Sequence, residues 1–490
     1  MVKPHKILLL LVLVNLLLLG VIFIFPSGMI PLAGNYKLKF ISLEELLHPK
    51  TVSKVDIDKI VKNVSDSSLH NHSGASAESA PDTLVLRDDP RQMAKITYKI
   101  QYPDDRKNAL DALFVSLDSL EKNDKLFRIL HYGDSQIEGD RISSTLREML
   151  QLKFGGSGTG LIPIYEPNAS RHTIQITQSD NWIKYAIYGG LFKNYDSRKY
   201  SMLCSAFRYY LSNDSSKANN LVKAWVHYHK LISAYPHAKK YERMNLFYGK
   251  VPAPGNIIIN TDKKQHIIFL DGSDKFNIKT LDLDNSPENI ELDFTNVYSP
   301  DVYGISLDSK KGIAVDNVPM RGSSGTDFGR MDLNYLTQQI KRMNVRLMIF
   351  QYGVNVVPYV IDNYDFYEKT FYANLKKFKD QNPDISILVI GVSDMSKKDG
   401  NNYVSYPNIE RIRDAQKRAA FRAGCAYWDL YEAMGGKNSM SSWVDAKPDA
   451  LAEKDYTHFN ARGARIIGEM IFNALMNEYY NHKGQKKKGI

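Results

Sequence analysis

Cysteine is scarce in this chain: 490 residues contain only Cys204 and Cys425. The two lie far apart, in segments whose sequence patterns differ, so we expect two buried thiols, with a disulfide as the alternative. No cysteine and histidine stand at the spacing of a zinc site, which excludes the common structural zinc motifs. The sequence therefore predicts no metal site.

Signals for nucleotide or nucleic-acid binding are also missing. A glycine-rich segment, residues 155–160, lacks the Gly-Lys-Ser/Thr of a phosphate loop and follows a helical pattern instead of preceding one. The net charge of +10 comes from lysines and arginines that are spread along the chain, and no nucleic-acid motif accompanies them. This balance suits an anionic surface, a glycan or a membrane, and it predicts neither an organic cofactor nor a nucleic-acid partner.

One long apolar run stands at the N-terminus. Residues 7–25 are apolar with two interruptions, and Lys3 and Lys6 precede them. At a helical rise of about 1.5 Å per residue, this run nearly crosses a hydrocarbon core of about 30 Å. Its exit has no small-x-small cleavage site, so we favour an uncleaved signal-anchor over a cleaved signal peptide. The basic residues before the run predict that the rest of the chain is exported.

A polar stretch follows the apolar run. Residues 70–81 are small, polar and without a pattern, which is typical of disorder. His70 and His72 could bind a metal, but a solvated linker is the interpretation that we favour.

Beyond residue 100 the chain shows two patterns. Helical stretches at 330–343, 364–380 and 408–423 separate the later members of a set of five apolar runs, which are residues 127–132, 312–318, 346–352, 386–391 and 426–430. Strands buried on both faces and joined by helices predict a parallel α/β sheet. Between residues 160 and 310 short alternating runs dominate, and they predict an inserted all-β sandwich.

Three residues in this chain have the chemistry of a serine hydrolase. Ser135 directly follows the first predicted strand and is the candidate nucleophile, although a helix N-cap alone would explain a serine there. Asp455 and His458 supply an acid and an imidazole three positions apart, and a surface cap is again the alternative. Asp134 is expected to hold the loop through backbone N–H groups.

A tetrahedral intermediate also needs donors for its oxyanion. The predicted donors are the N–H groups of Ser135 and Gly322 and the side-chain amide of Asn355, with a plain turn residue as the alternative for Asn355. All three follow predicted core strands, at the sheet edge where open α/β folds bind ligands.

The sequence Gly-Asp-Ser, an isolated Gly, Gly-x-Asn and then Asp-x-x-His resembles the SGNH, or GDSL-type, hydrolase superfamily over about residues 125–475. Ser135, Gly322, Asn355 and His458 match its four name-giving positions, and Asp455 matches its triad acid. The resemblance implies an α/β, flavodoxin-like hydrolase with a central parallel sheet, here with the inserted all-β sandwich and an N-terminal transmembrane helix.

A closer resemblance is to the peptidoglycan O-acetylesterases of Gram-negative bacteria. It rests on the glycine-rich segment after the nucleophile helix, on an insert that resembles a carbohydrate-binding module, and on the aromatic residues at 427–443. Two positions depart from the pattern: Gln136 stands where those esterases often have His, and Val356 where many relatives carry an acid. We expect Gln136 to affect the substrate pocket and Val356 to affect loop support.

The predicted organisation is a signal-anchor at residues 1–26, a largely disordered linker at 27–90, a discontinuous hydrolase domain at 91–160 and 311–480, an inserted sandwich at 161–310 and a basic tail at 481–490. The resemblance implies a serine esterase without cofactor that removes O-acetyl groups from an O-acylated cell-wall or extracellular glycan. Residues 7–25 would hold it, as a single-pass protein, in the cytoplasmic (inner) membrane with the catalytic domain on the periplasmic side. A glycan O-acetyltransferase and a non-catalytic glycan-binding protein are the alternatives.

Overall fold

The structure is a computed structural model that describes residues 4–32, 36–47, 53–64, 84, 86, 89–104, 106–122, 124–167, 171–193, 195–210 and 221–487. The helices are α1 (Pro4–Ile24), α2 (Leu43–Leu47), α3 (Ile57–Val64), α4 (Pro90–Met93), α5 (Asp111–Ser119), α6 (Arg141–Phe154), α7 (Leu333–Arg342), α8 (Asp365–Gln381), α9 (Ile409–Arg422), α10 (Leu430–Ala433), α11 (Ser439–Val444) and α12 (Ala461–Lys487).

The strands are β1 (Met29–Pro31), β2 (Lys37–Lys39), β3 (Leu126–Gly133), β4 (Gly160–Ile162), β5 (Ile174–Gln178), β6 (Trp182–Ala186), β7 (Ser205–Tyr209), β8 (Val222–Lys230), β9 (Arg243–Tyr248), β10 (Gly255–Thr261), β11 (Gln265–Leu270), β12 (Asn277–Asp282), β13 (Asn289–Asn296), β14 (Val302–Asp308), β15 (Gly312–Pro319), β16 (Val345–Gln351), β17 (Ser386–Ile390), β18 (Ser396–Asp399), β19 (Asn402–Ser405) and β20 (Ala426–Trp428).

Two compact units make up the chain: residues 1–54 with 397–404, and residues 55–396 with 405–490. In the first unit, α1 is long and apolar enough to cross a membrane, a property that a signal sequence shares. The pair β1 and β2 follows it as a short antiparallel ribbon.

A five-stranded parallel sheet forms the centre of the second unit, in the order β15-β3-β16-β17-β20. Numbered along the chain, this order is 2-1-3-4-5, the flavodoxin-like arrangement. Successive side chains of β3 point to opposite faces, so Leu130 and Tyr132 pack on α7, α8 and α9 while Ile129 packs on α5, α6 and α12. Helices on both faces explain the continuous apolar strands, and the predicted fold class is confirmed.

Two antiparallel sheets lie between β3 and β15 in the chain, in the orders β11-β10-β13-β8-β5 and β12-β9-β14-β7-β6, with β4 paired to β14. Their facing sides share one core, in which Val226 and Leu292 of one sheet meet Leu246 and Ile305 of the other. This arrangement is the predicted sandwich. Trp182 is buried and contacts the rings of Tyr209 and Phe294 edge-on.

The remaining predictions vary in outcome. Cys204 and Cys425 are free, buried thiols, as expected. The predicted linker contains short ordered elements, because Ile57 of α3 is buried with the apolar residues around α12; residues 70–81, with both histidines, lie outside the described residues. Helix α12 continues into the predicted basic tail, where His482 Nδ1 lies 3.2 Å from Asp111.

Candidate active site

Ser135 directly follows the carboxyl end of β3, at the start of two short 3₁₀ turns (Ser135–Asp140) that are separated by a kink at Glu138 and Gly139 and precede α6. Helix α6 begins only at Arg141, because Gly139 and Asp140 adopt left-handed conformations with φ of 70° and 64°. Gly133 is required before the turn, since a Cβ there would lie 2.8 Å from the carbonyl oxygen of Gln351 on β16. Close packing of β3 on β16 thus brings the serine to the sheet edge.

The predicted serine, histidine and aspartate form one continuous chain of hydrogen bonds. His458 Nε2 lies 2.8 Å from Ser135 Oγ, and His458 Nδ1 lies 2.6 Å from Asp455 Oδ2. An ionised carboxylate only accepts, so the proton of a neutral imidazole sits on Nδ1, and Nε2 is left to accept from the serine hydroxyl. Ser135 and His458 are 323 positions apart in the chain, so only the tertiary fold brings them together.

Asp455 is held as a carboxylate. Burial acts to raise its pKa, but the hydrogen bonds from the His458 side chain, the His458 N–H and the Thr457 N–H outweigh burial and lower the pKa to about 2. Asp455 is therefore ionised at any working pH, and it fixes the tautomer and orientation of His458.

The three predicted oxyanion donors differ in whether they already donate a hydrogen bond within the protein. Gly322 follows β15 with φ of +82°, and a Cβ there would meet no atom within 4 Å, so the space beside its Cα is open. In the described part of the chain, neither this N–H nor that of Ser135 has a protein partner. The Asn355 amide donates one hydrogen to the carbonyl of Ser323 at 2.9 Å, and the described residues offer no partner for the other.

Asp134 supports the loop, as expected. Its carboxylate accepts the N–H of Gln136 at 3.0 Å and the N–H groups of Gly353 and Val354 at 2.9 and 3.2 Å. Burial raises the Asp134 pKa to about 6, although these three hydrogen bonds oppose the shift. One side chain thereby connects the serine turn to the loop that carries Asn355.

Gln136 and Arg141 connect the serine turn to the histidine loop. Gln136 is buried, donates to the carbonyl of Thr457 at 2.7 Å and accepts from the N–H of Phe459 at 3.3 Å. The Arg141 guanidinium donates to the carbonyls of Ser135 and Phe459, both at 2.9 Å. Gln136 was expected to affect the substrate pocket, but its buried amide contacts the residues on both sides of His458.

Arg141 was not identified from the sequence, because its three hydrogen-bond partners, the carbonyl oxygens of Ser135, Glu138 and Phe459, are main-chain atoms, which carry no sequence signal. The residue after Asn355, Val356, is buried in the core beside the parallel sheet. Asp394, after β17, accepts from Ser405 Oγ at 2.6 Å and from the Met440 N–H at 2.8 Å, so it holds two loops together.

Among the residues that the structure describes, no cluster of histidine, cysteine and acidic side chains could hold a metal ion. The groups that the fold brings together at this edge of the sheet are the serine hydroxyl, the imidazole, the carboxylate and the amide donors.

Comparisons with known proteins concern the fold and the family of part of the chain. Residues 295–466 match the GDSL-like Lipase/Acylhydrolase family, a range that includes Gly322, Asn355, Asp455 and His458 and begins after Ser135. No curated protein sequence matches the chain.

Among solved structures, a peptidoglycan O-acetylesterase superposes with a TM-score of 0.59 at 19% identity, covering 76% of this chain and 96% of that one. An acetyl xylan esterase gives a TM-score of 0.27 at 18% identity, covering 33% and 81%. A family two carbohydrate esterase from Cellvibrio japonicus gives 0.25 at 8% identity, covering 63% and 99%. The first likeness shows a shared fold, and the match of residues 295–466 to the GDSL-like lipase/acylhydrolase family supports a serine ester hydrolase.

Proposed function

We propose that this protein is a serine esterase that removes O-acetyl groups from a cell-wall or extracellular glycan, with peptidoglycan as the favoured substrate. The observation that carries the proposal is the hydrogen-bond chain from Ser135 Oγ through His458 to Asp455, with distances of 2.8 and 2.6 Å. The choice of glycan is supported by the fold shared with a peptidoglycan O-acetylesterase.

In the proposed mechanism, Ser135 Oγ attacks the acetyl carbonyl carbon while His458 Nε2 takes the hydroxyl proton. The bond from that carbon to the sugar oxygen then breaks, and His458 returns the proton to the departing sugar hydroxyl. Water attacks the acetyl-Ser135 ester, again losing a proton to His458, and acetate leaves as Ser135 is regenerated. Asp455 stabilises the imidazolium at each stage without taking the proton.

The negative oxygen of both tetrahedral intermediates would lie among the N–H groups of Ser135 and Gly322 and the amide of Asn355. Two of these donors are main-chain groups with no protein partner among the described residues, so they need not break a hydrogen bond in order to bind it. Preorganised donors of this kind contribute about 3–4 kcal/mol each to transition-state stabilisation.

We propose α1 as an uncleaved anchor in the cytoplasmic membrane, with the catalytic domain outside the cytoplasm. Most of its apolar side chains are exposed, for example Leu17 at 68% and Phe23 at 67%, whereas Ile22 is buried; this exposure suits a lipid surrounding. We also propose residues 91–160 and 311–480 as the hydrolase domain, and residues 161–310 as an insert that holds the polymer.

The test is acetate release from O-acetylated peptidoglycan by the full chain in detergent, with a soluble acetyl ester in parallel. Ser135→Ala is expected to lower kcat by about 10⁴-fold or more while the fold is retained. Ser324→Ala is the matched control, because among the described residues that hydroxyl is hydrogen-bonded only to Thr326 Oγ1 in the glycine loop. An unchanged rate for Ser135→Ala would contradict the proposal, and turnover of the soluble ester alone would indicate another polymer or acetyl transfer.

A further inference from the structure

Directly beyond the Asn355 loop, the hydrolase domain exposes a run of apolar side chains. Pro358, Tyr359, Val360 and Ile361 are consecutive and exposed, and Phe366 follows in the first turn of α8. Tyr359 is 70% exposed and Phe366 is 83% exposed. Single exposed apolar residues are common, but a contiguous group of this kind marks an interaction surface.

Side-chain hydrogen bonds hold the backbone of this loop, so its apolar side chains are exposed on an ordered segment. Buried Asn408 donates to the carbonyl of Val357 at 2.8 Å, and the Tyr364 hydroxyl donates to that of Tyr359 at 2.7 Å. Arg411 donates to the carbonyl of Asp362 at 3.0 Å. These three hydrogen bonds hold the backbone from the protein side, and the apolar side chains between them are exposed.

The two helices that flank the loop are basic. Helix α8 has four lysines against three acids, and α9 has five basic residues against two acids. One of those acids, Glu368, is shared by Arg418 and Arg422 at 2.8 and 3.0 Å, so a single carboxylate faces two cations. Exposed Lys369 follows Phe366 by one turn of α8.

We propose that residues 358–366, with the cations of α8 and α9, form a docking surface for an anionic lipid bilayer. Aromatic and aliphatic side chains that enter the headgroup region beside lysine and arginine are the composition of interfacial anchors. The same chain carries α1, whose apolar surface already suits a lipid surrounding. A polysaccharide would not require the exposed aliphatic chains of Val360 and Ile361. The loop itself carries the exposed acids Asp362 and Asp365, so the attraction to anionic headgroups comes from the basic excess of α8 and α9.

Docking to a bilayer would determine which esters the enzyme reaches. Asn355 stands three residues before Pro358, so docking through this surface holds the active-site edge of the sheet next to the bilayer. The docking surface itself does not depend on the proposed chemistry of Ser135.

The experiment uses the full chain reconstituted into phosphatidylcholine vesicles with and without phosphatidylglycerol. Val360→Cys is labelled with a polarity-sensitive fluorophore, which is selective because Cys204 and Cys425 are buried. Quenching by spin-labelled lipid is then measured. The matched control is Lys263→Cys, an exposed position in the turn between β10 and β11.

Quenching at position 360 is expected to exceed that at 263 by about three-fold or more in phosphatidylglycerol vesicles, and to fall in high salt. Replacing Ile361 and Phe366 by serine in the labelled protein should lower it to the control value while the circular dichroism spectrum is unchanged. Equal quenching at the two positions would overturn the proposal. Protection of the label by O-acetylated peptidoglycan but not by vesicles would also overturn it, in favour of a polymer platform.

Discussion

The parallel sheet and the antiparallel sandwich differ in where polar residues can stand along their strands. In β3, every residue after the first is buried, whereas β13 alternates between buried and half-buried positions. The sandwich strand has one face towards the core and one towards solvent, so polar side chains can stand all along it. The parallel sheet is covered on both faces and leaves the ends of its strands for chemistry.

Because the parallel sheet is covered on both faces, the candidate site lies at the ends of its strands. Ser135, Gly322 and Asn355 follow β3, β15 and β16, which are neighbours in the sheet, so their loops meet at one edge. A few polar residues do enter the covered sheet. Arg128, in β3, joins it to the sandwich, and Asn317, in β15, donates to the carbonyl of Ile137 in the serine turn at 2.8 Å.

The largest effect on stability is expected where the two regions join. Arg128 is fully buried, and its guanidinium lies 2.6 Å from Asp308 of the sandwich and 2.6 Å from Asp316 of the parallel sheet. Arg128→Met would leave two buried carboxylates without their cation, and it should lower the free energy of unfolding by about 3–5 kcal/mol. Urea denaturation measures the loss.

Adding Asp308→Asn and Asp316→Asn to Arg128→Met is the control, since it removes the two charges and should recover part of the stability. A loss below about 1 kcal/mol for Arg128→Met would show that the two regions are energetically independent at this junction.

A second substitution tests whether activity depends on Arg141 at the active-site edge more than on an arginine of the sandwich surface. Arg141→Met removes the donor that connects the carbonyls of Ser135 and Phe459, and we expect kcat to fall about 10²-fold with KM nearly unchanged. Arg141→Lys should recover little, because an ammonium cannot reproduce the guanidinium fork.

The matched control is Arg243→Met on the sandwich, where the guanidinium makes an exposed pair with Asp282 at 3.0 Å. Steady-state kinetics on a soluble acetyl ester should show near-normal activity for this variant. Equal activity of the Arg141 and Arg243 variants would refute a positioning role for Arg141.

The smallest expected effect is a pH dependence of stability. Burial raises the Asp394 pKa from 3.8 to about 6, although hydrogen bonds from Ser405 and Met440 oppose the shift. Between these values the folded protein holds a proton that the unfolded chain has lost, so the free energy of unfolding falls as pH rises from about 4 to about 6. Asp394→Asn should reduce that fall by on the order of 1 kcal/mol.

Unfolding curves at several pH values across this range provide the measurement. The remaining slope should persist in the variant, because burial also raises the pKa values of Asp134 and Asp316 to about 6. An unchanged pH dependence would mean that Asp394 does not titrate in this range.

The sequence by itself determined where the parallel strands lie along the chain and which residues follow them. Continuous apolar runs predict strands covered on both faces, and short motifs placed Ser135, Gly322, Asn355, Asp455 and His458 after them, because strand period and local motif are properties of neighbouring residues. The alternation between residues 160 and 310 predicted the sandwich for the same reason.

Only the tertiary structure decided which contacts hold the site loops and the two sheets together, and which apolar residues remain exposed to solvent. Gln136 and Arg141 act on main-chain atoms more than 300 positions away, and Arg128 finds its two carboxylates in different sheets. Tyr359 and Ile361 continue an apolar stretch yet remain exposed, on a backbone that hydrogen bonds hold from the protein side. Burial and long-range hydrogen bonding depend on which surfaces the folded chain brings together, and local pattern does not contain that information.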